Sequence, residues 1–164
     1  VERRIGIALL VLAVIPLILP LSYIHHRIQL AKEDELFIPM GQQVEIDGRL
    51  MHVYSEGNGE LTLVFMSGGG TSSPVLDFKS LYSILSEEYG IVVVEKTRYG
   101  FSDVADVERD VDSILSDSRA VLELAGIEGP FVLCPHSMSG IEAIYCFKSA
   151  KWNVNRIRLL TLCP

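Results

Sequence analysis

Along this chain the hydrophobic positions fall into three patterns, each predicting a different element. The first is an unbroken apolar run over residues 5–24, IGIALLVLAVIPLILPLSYI, with no charged side chain. A bilayer-spanning helix needs about 20 such residues, so the run predicts a membrane anchor; Pro16 and Pro20 would kink it, which a span tolerates better than a soluble helix does. Arg3 and Arg4 precede the run and His25, His26 and Arg27 follow it, a near balance of positive flanks that orients the helix weakly, with the N-terminus inside. A basic start before an apolar run is also the layout of an export signal. Such signals, however, carry apolar cores of about 7–15 residues and a small-residue cleavage site, and no A-x-A site follows here. Residues 1–27 are therefore expected to form a transmembrane anchor or signal segment, 28–42 a linker and 43–164 a domain. The domain is expected on the extracytoplasmic face of a membrane in a single-pass protein, or secreted after cleavage.

The second pattern is a pair of short apolar-alternating runs. Val44 to Ile46 alternates apolar and polar side chains and Leu50 to Tyr54 is apolar but for His52, on either side of Asp47-Gly48, a dipeptide that accepts the positive φ angles of a tight turn, and together they predict a β-hairpin. The third pattern alternates blocks. Apolar runs of strand length, residues 61–66, 91–95, 131–134 and 157–162, are separated by stretches of helical spacing at 74–88, about 107–125 and about 138–149. The first helical stripe is Val75, Phe78, Leu81, Tyr82 and Leu85; the second is Val111, Ile114, Leu115, Ser118, Val121 and Leu122, closing at Gly126. Strands that are apolar throughout are those buried on both faces of a parallel sheet. The fold class is thus α/β: a mostly parallel sheet with an N-terminal hairpin, helices on both faces and a ligand crevice at the C-terminal ends of the strands.

Composition narrows the function classes. The chain has 164 residues, 49% of them hydrophobic and 21% charged, with 14 Lys plus Arg against 21 Asp plus Glu and a formal net charge of −7. The hydrophobic share is too high for a disordered chain. Net negative charge without a basic run argues against nucleic acid as a partner and disfavours acidic substrates. Cys134, Cys146 and Cys163 lack metal-ligand spacing and form no disulfide framework; they read as small buried hydrophobes, and no metal site is expected.

Chemistry concentrates at Cys134-Pro135-His136-Ser137-Met138-Ser139-Gly140, where a buried strand turns abruptly into a helix. A serine held on such a turn projects its Oγ into the crevice, while the following backbone N–H and the helix N-terminus stabilise an anion formed after attack. Ser139 is small, as the turn requires, whereas Pro135 replaces the first glycine of G-x-S-x-G. A serine at this kind of junction is also a common N-cap. A second stretch, Met66-Ser67-Gly68-Gly69-Gly70-Thr71, follows the first central strand. Its glycines let backbone approach a substrate closely, so the N–H groups of Gly69 and Met138 are the candidate oxyanion pair. The glycines could instead form a flexible turn. No Gly-Lys-Ser/Thr follows them and no G-x-G-x-x-G occurs, which argues against a nucleotide cradle.

Over residues 43–164 the chain resembles the α/β-hydrolase family. Phe65-Met66-Ser67-Gly68-Gly69-Gly70 looks like the family's strand followed by His-Gly-Gly, with Ser67 where histidine is common. Glu95-Lys96-Thr97-Arg98-Tyr99-Gly100-Phe101-Ser102-Asp103 is similar to its Asp-Arg-Pro-Gly-Tyr-Gly-x-Ser-Asp loop, with Arg98 replacing the first glycine. Pro-His-Ser-Met-Ser-Gly stands in place of Gly-His-Ser-Met-Gly-Gly. The resemblance implies a serine hydrolase with Ser137 as nucleophile, a small-molecule acyl substrate and no metal or organic cofactor. It implies a triad in the order Ser, then Asp or Glu, then His. Nothing after Ser137 fits: His136 should point away from Ser137 by alternation, His52 is expected on the hairpin surface, His25 and His26 flank the membrane run, and Glu142 is expected to face solvent or its helical neighbours. The resemblance places the triad acid and base beyond Pro164, with two further strands, their helices and any lid, so the chain reads as an N-terminal part. The other reading, from a different class, is a catalytically inactive remnant or small-molecule binding module that keeps the crevice without the base.

Overall fold

The structure, a computed structural model, describes residues 2–34, 38–149 and 157–159, which divide into two units, residues 1–39 and 40–164. In the first unit, helix α1 (Glu2–Asp34) is 33 residues long and keeps Pro16 and Pro20 inside it. It continues past residue 27 through the first part of the expected linker. Side chains within α1 are described for Val14 and residues 16–33. Among the described residues no helix is long and apolar enough to cross a membrane; much of the 5–24 run on which that expectation rests lies outside the described side chains.

The second unit begins with the hairpin. Strands β1 (Gln42–Ile46) and β2 (Arg49–Glu56) pair with Val44 opposite Met51, and Asp47 and Gly48 at the turn take φ of 50° and 75°. Two positive φ values suit the right-handed twist of the strands. Then come β3 (Thr62–Met66), β4 (Gly90–Val94), β5 (Phe131–Pro135) and β6 (Ile157–Leu159). Among the described residues the six strands form one sheet in the order β1-β2-β4-β3-β5-β6. Pairing is antiparallel from β1 through β2 to β4 and parallel from β4 through β3 and β5 to β6. Residues 160–162 of the last expected strand lie outside the described residues.

Alternation along the central strands divides the core into two layers. Val64, Val92, Val94 and Leu133 pack with Leu115, Val121 and Leu122 of helix α4 (Val111–Leu124) and with Ala143 and Cys146 of helix α5 (Ser139–Ser149). Leu63, Phe65, Ile91, Val93, Val132 and Cys134 pack with Val75 and Tyr82 on the other face. Those two residues belong to two short helices, α2 (Pro74–Asp77) and α3 (Lys79–Leu85), not to the single helix expected over 74–88. The break falls at Phe78, with φ −90° and ψ −1°, where the ring stacks on Phe65 at 5.3 Å between centroids. The break changes the phase of the stripe, so Leu81, expected inside, is exposed.

Helix α4 starts at Val111, later than the apolar pattern implied, because Asp110 caps it, its carboxylate accepting the Ser113 N–H at 2.7 Å. Competition from a capping side chain fixes such a start more sharply than periodicity does. Its end is a Schellman turn: Gly126 has φ 68°, its N–H donates to Glu123 O at 3.1 Å, and Ile127 N–H donates to Leu122 O at 2.9 Å.

Candidate active site

The elbow at the end of β5 is built by its backbone. Ser137 has φ 57°, a left-handed conformation uncommon for a residue with a Cβ. It persists because its neighbours are tied down. His136 N–H donates to Met66 O at 3.0 Å and to Ser139 Oγ at 2.8 Å, and Ser139 Oγ lies within donating distance of Met66 O, 2.7 Å, and His136 O, 2.9 Å. Ser139 is wholly buried, so the hydroxyl that replaces the family's glycine becomes a pin between β3, the turn and the first residue of α5. Ser137 itself is exposed. Among the described residues its Oγ makes no hydrogen bond, and His136 on the exposed side of the turn stacks edge-on to Phe78 at 6.2 Å between centroids.

The glycine loop after β3 lies against this turn. A Cβ placed on Gly68 would meet Ser137 Cβ at 2.9 Å and Ser137 Oγ at 3.3 Å, and one on Gly69 would meet the Met138 thioether sulfur at 3.1 Å. Gly68 therefore admits no larger residue without displacing the serine, while at Gly69 a flexible side chain could yield. Of the residues expected here, Gly69 lies beside the Met138 side chain, and it is Gly68 that lies against Ser137.

Two histidine and carboxylate expectations are corrected. His52, expected on the hairpin surface, is completely buried, because the Phe101 ring packs edge-on against the imidazole at 5.2 Å and Met40 and Glu95 meet its two nitrogens. Its Nε2 is 2.7 Å from Met40 O, and its Nδ1 is 3.1 Å from Glu95 Oε2. Glu95, also completely buried, accepts N–H groups from Val75 at 3.2 Å and Phe101 at 2.7 Å and the Ser73 hydroxyl at 3.3 Å. Burial pushes the Glu95 carboxyl up, but the His52 contact, the two backbone N–H groups and the His52 charge outweigh it and hold the carboxyl below its ordinary range.

Glu142, expected to face solvent or its helical neighbours, is buried against another segment instead. It pairs with Lys96 Nζ at 2.5 Å, and the same ammonium donates to Ser67 O at 2.9 Å. The signal for this was present in the helical spacing, since Glu142 precedes Ala143 and Cys146 on the covered side of α5; its charge hid it. Cys134 and Cys146 are buried as expected, and burial pushes their thiols up to about 11, so both stay protonated and inert at neutral pH. Cys163 lies outside the described residues. Among the described residues no cluster of His, Cys, Asp or Glu could hold a metal ion.

No protein-family model matches the chain. The uncharacterised Bacillus subtilis (strain 168) protein YbdG is 44% identical over 135 residues, which are 82% of this chain and 42% of that protein. A second uncharacterised protein of that organism, YqjL, is 27% identical over 103 residues, 62% of this chain and 40% of its own length. The chain thus spans about two-fifths of the curated relatives it matches. Solved structures align on the same scale. An α/β-hydrolase fold protein from Burkholderia ambifaria aligns over 67% of this chain and 39% of its own, with TM-score 0.58 and 16% identity. The enol-lactonase of Burkholderia xenovorans LB400 aligns over 72% and 45%, with TM-score 0.61 and 16% identity. A meta-cleavage product hydrolase of Pseudomonas fluorescens IP01 aligns over 74% and 44%, with TM-score 0.60 and 16% identity. The chain has the fold of the α/β hydrolases, and the share of those structures that it spans fits the N-terminal part of that fold.

Proposed function

We propose that this chain supplies the nucleophile half of a serine hydrolase that cleaves an ester, amide or similar acyl bond. The observation that carries the reading is the left-handed backbone of Ser137, φ 57°, at a strand-to-helix turn facing a glycine loop. Strain of this kind persists where it serves a site. In the reaction Ser137 Oγ attacks the acyl carbon, its proton passes to a histidine, and the charge that collects on the carbonyl oxygen is met by the N–H groups of Gly69 and Met138. The acid and histidine are assigned to the part of such proteins that lies beyond Pro164. Labelling of the full-length protein by a fluorophosphonate tests this: label on Ser137, lost in Ser137→Ala, is expected, and an unlabelled wild type sinks the reading.

A second reading, an inactive binding module, is favoured by the absence of any hydrogen-bonded base at Ser137 Oγ among the described residues. It predicts folded full-length protein that turns over no acyl ester. The uncharged run over residues 5–24 further supports a single-pass membrane anchor with the hydrolase domain on the extracytoplasmic face. Alkaline carbonate should leave the protein in the membrane pellet; release into the supernatant would leave secretion after signal cleavage as the better account.

A further inference from the structure

Three backbone groups of the glycine loop are fastened from one place. Lys96 Nζ donates to Ser67 O at 2.9 Å, Gly70 N–H donates to the Tyr99 hydroxyl at 3.0 Å, and Gly100 N–H donates to Ser72 O at 2.9 Å. All three partners lie in the segment that follows β4. Between the first two clamps sit Gly68 and Gly69, whose backbone lies against Ser137 and Met138. The Lys96 ammonium also binds Glu142 on the first turn of α5, five residues after Ser137. One lysine therefore ties the loop to the helix that the elbow opens.

A glycine pair left to itself samples more backbone conformations than any other dipeptide, and an anion-binding N–H works only when it is already aimed. The clamps act against that freedom. Two further facts indicate that they are kept for geometry and not for stability. Ser67 Oγ and the second Glu142 oxygen are two of the six buried side-chain polar atoms without a hydrogen-bond partner among the described residues, so the bridge leaves a desolvation cost at both of its ends. A buried ion pair is also a poor source of stability compared with apolar side chains of the same volume, but an apolar chain could not hold the Ser67 carbonyl.

We propose that Lys96 and Tyr99 are positioning residues, which hold Gly68 and Gly69 at the separation from Ser137 at which the Gly69 N–H meets the developing oxyanion. The inference rests on the serine hydrolase reading above. Lys96 sets the near end of the loop relative to α5, and Tyr99, whose ring is covered by the Arg109 guanidinium at 5.1 Å, sets the far end.

The test uses saturable fluorophosphonate labelling of the full-length protein, which separates the first-order rate at saturation from the half-saturating concentration. Tyr99→Phe removes one hydroxyl and keeps the ring; the double change Lys96→Met with Glu142→Met removes the bridge without stranding a charge. Each is expected to slow labelling at saturation by about tenfold or more, as a misaimed donor should, with the half-saturating concentration and the melting temperature of Tyr99→Phe unchanged. Labelling of both variants at the wild-type rate overturns the inference while leaving Ser137 as nucleophile. Slowing that merely matches the unfolded fraction seen by circular dichroism overturns it too. A wild type that takes no label removes the nucleophile reading and this inference together.

Discussion

Glu95 and Glu142 are both buried carboxylates within reach of the end of β4, and they live on opposite faces of the sheet under opposite conditions. Glu95 stands with the layer of Val75 and has contacts at both oxygens: Val75 N–H and the Ser73 hydroxyl at one, Phe101 N–H and His52 at the other. Glu142 stands with the layer of Ala143 and has Lys96 at one oxygen and no partner at the other. A carboxylate with donors at both oxygens rigidifies its surroundings, whereas a half-satisfied one costs more than an apolar core would. The His52 Nδ1 contact at 3.1 Å falls outside hydrogen-bond geometry, so it is the backbone and Ser73 donors that complete Glu95. The difference separates scaffold from site. Glu95 joins β2, the loop after β4 and the start of α2 into one block, and the Glu142 pair positions the loop beside Ser137 at some expense in stability.

The largest effect should come from Glu95→Ala. It strands the Val75 N–H, removes the Glu95 acceptor of the Phe101 N–H and leaves His52 buried without its carboxylate, a loss of about 3–5 kcal/mol in denaturant unfolding. Gly100 sharpens the point, since a Cβ there would lie 1.9 Å from the Glu95 carboxylate. The same group sets an acid limit. Because its folded pKa lies below the unfolded value, the unfolded chain binds more protons in the window between the two, so stability rises with pH there and is lost as pH falls through the folded pKa. Glu95→Gln should flatten that limb of a melting-temperature profile. A limb identical to that of the wild type would remove Glu95 from the account.

Next in size is Lys96→Met, which leaves the Glu142 charge buried and alone and should cost about 3 kcal/mol. Here the two regions part. Adding Glu142→Leu should recover most of the loss, a large favourable coupling in a double-mutant cycle. The matching pair Glu95→Leu with His52→Leu should recover little, because the backbone N–H of Val75, which donates to the carboxylate at 3.2 Å, loses its acceptor. Equal recovery at both places would erase the distinction between scaffold and site. Smaller again is Asp110→Ala, a carboxylate that caps α4 in the open; about 1 kcal/mol is expected from the lost cap.

How much of this was legible in the sequence follows from the kind of signal each feature leaves. The hairpin and the elbow were readable because Asp47-Gly48 and the Pro-His-Ser-Met-Ser-Gly turn act through local backbone chemistry, and the parallel strands because mostly apolar runs of strand length mark burial on both faces. The break at Phe78 was not, since an aromatic ring turning to meet Phe65 leaves the helical spacing of its neighbours intact. His52 and Glu142 were misplaced for a common reason. Polar side chains default to solvent when partners are unknown, and their partners, Glu95 and Lys96, lie 43 and 46 residues away. Glu95 and Lys96 themselves were visible as a variant of a family loop, but nothing in that match told which face each would serve. The Ser139 hydroxyl, read as merely small, turned out to be the pin of the elbow because Met66 O sits across the strand pair from it.

The smallest prediction is the control for all of these. Arg119 and Glu123 form an ion pair at 3.0 Å, one turn apart on the solvent side of α4, with half or more of each side chain exposed. Its N–O separation is no longer than that of His52 and Glu95, so a contact-counting view would rank the two pairs alike. Water and salt screen the exposed pair, and holding two long side chains in register costs rotamer freedom, so Glu123→Gln should change unfolding free energy by about 0.5 kcal/mol or less. Raising ionic strength should remove even that. An effect as large as that of Lys96→Met would mean that burial and hydrogen-bond completeness are not what separate these carboxylates, and the contrast between Glu95 and Glu142 would then need another cause.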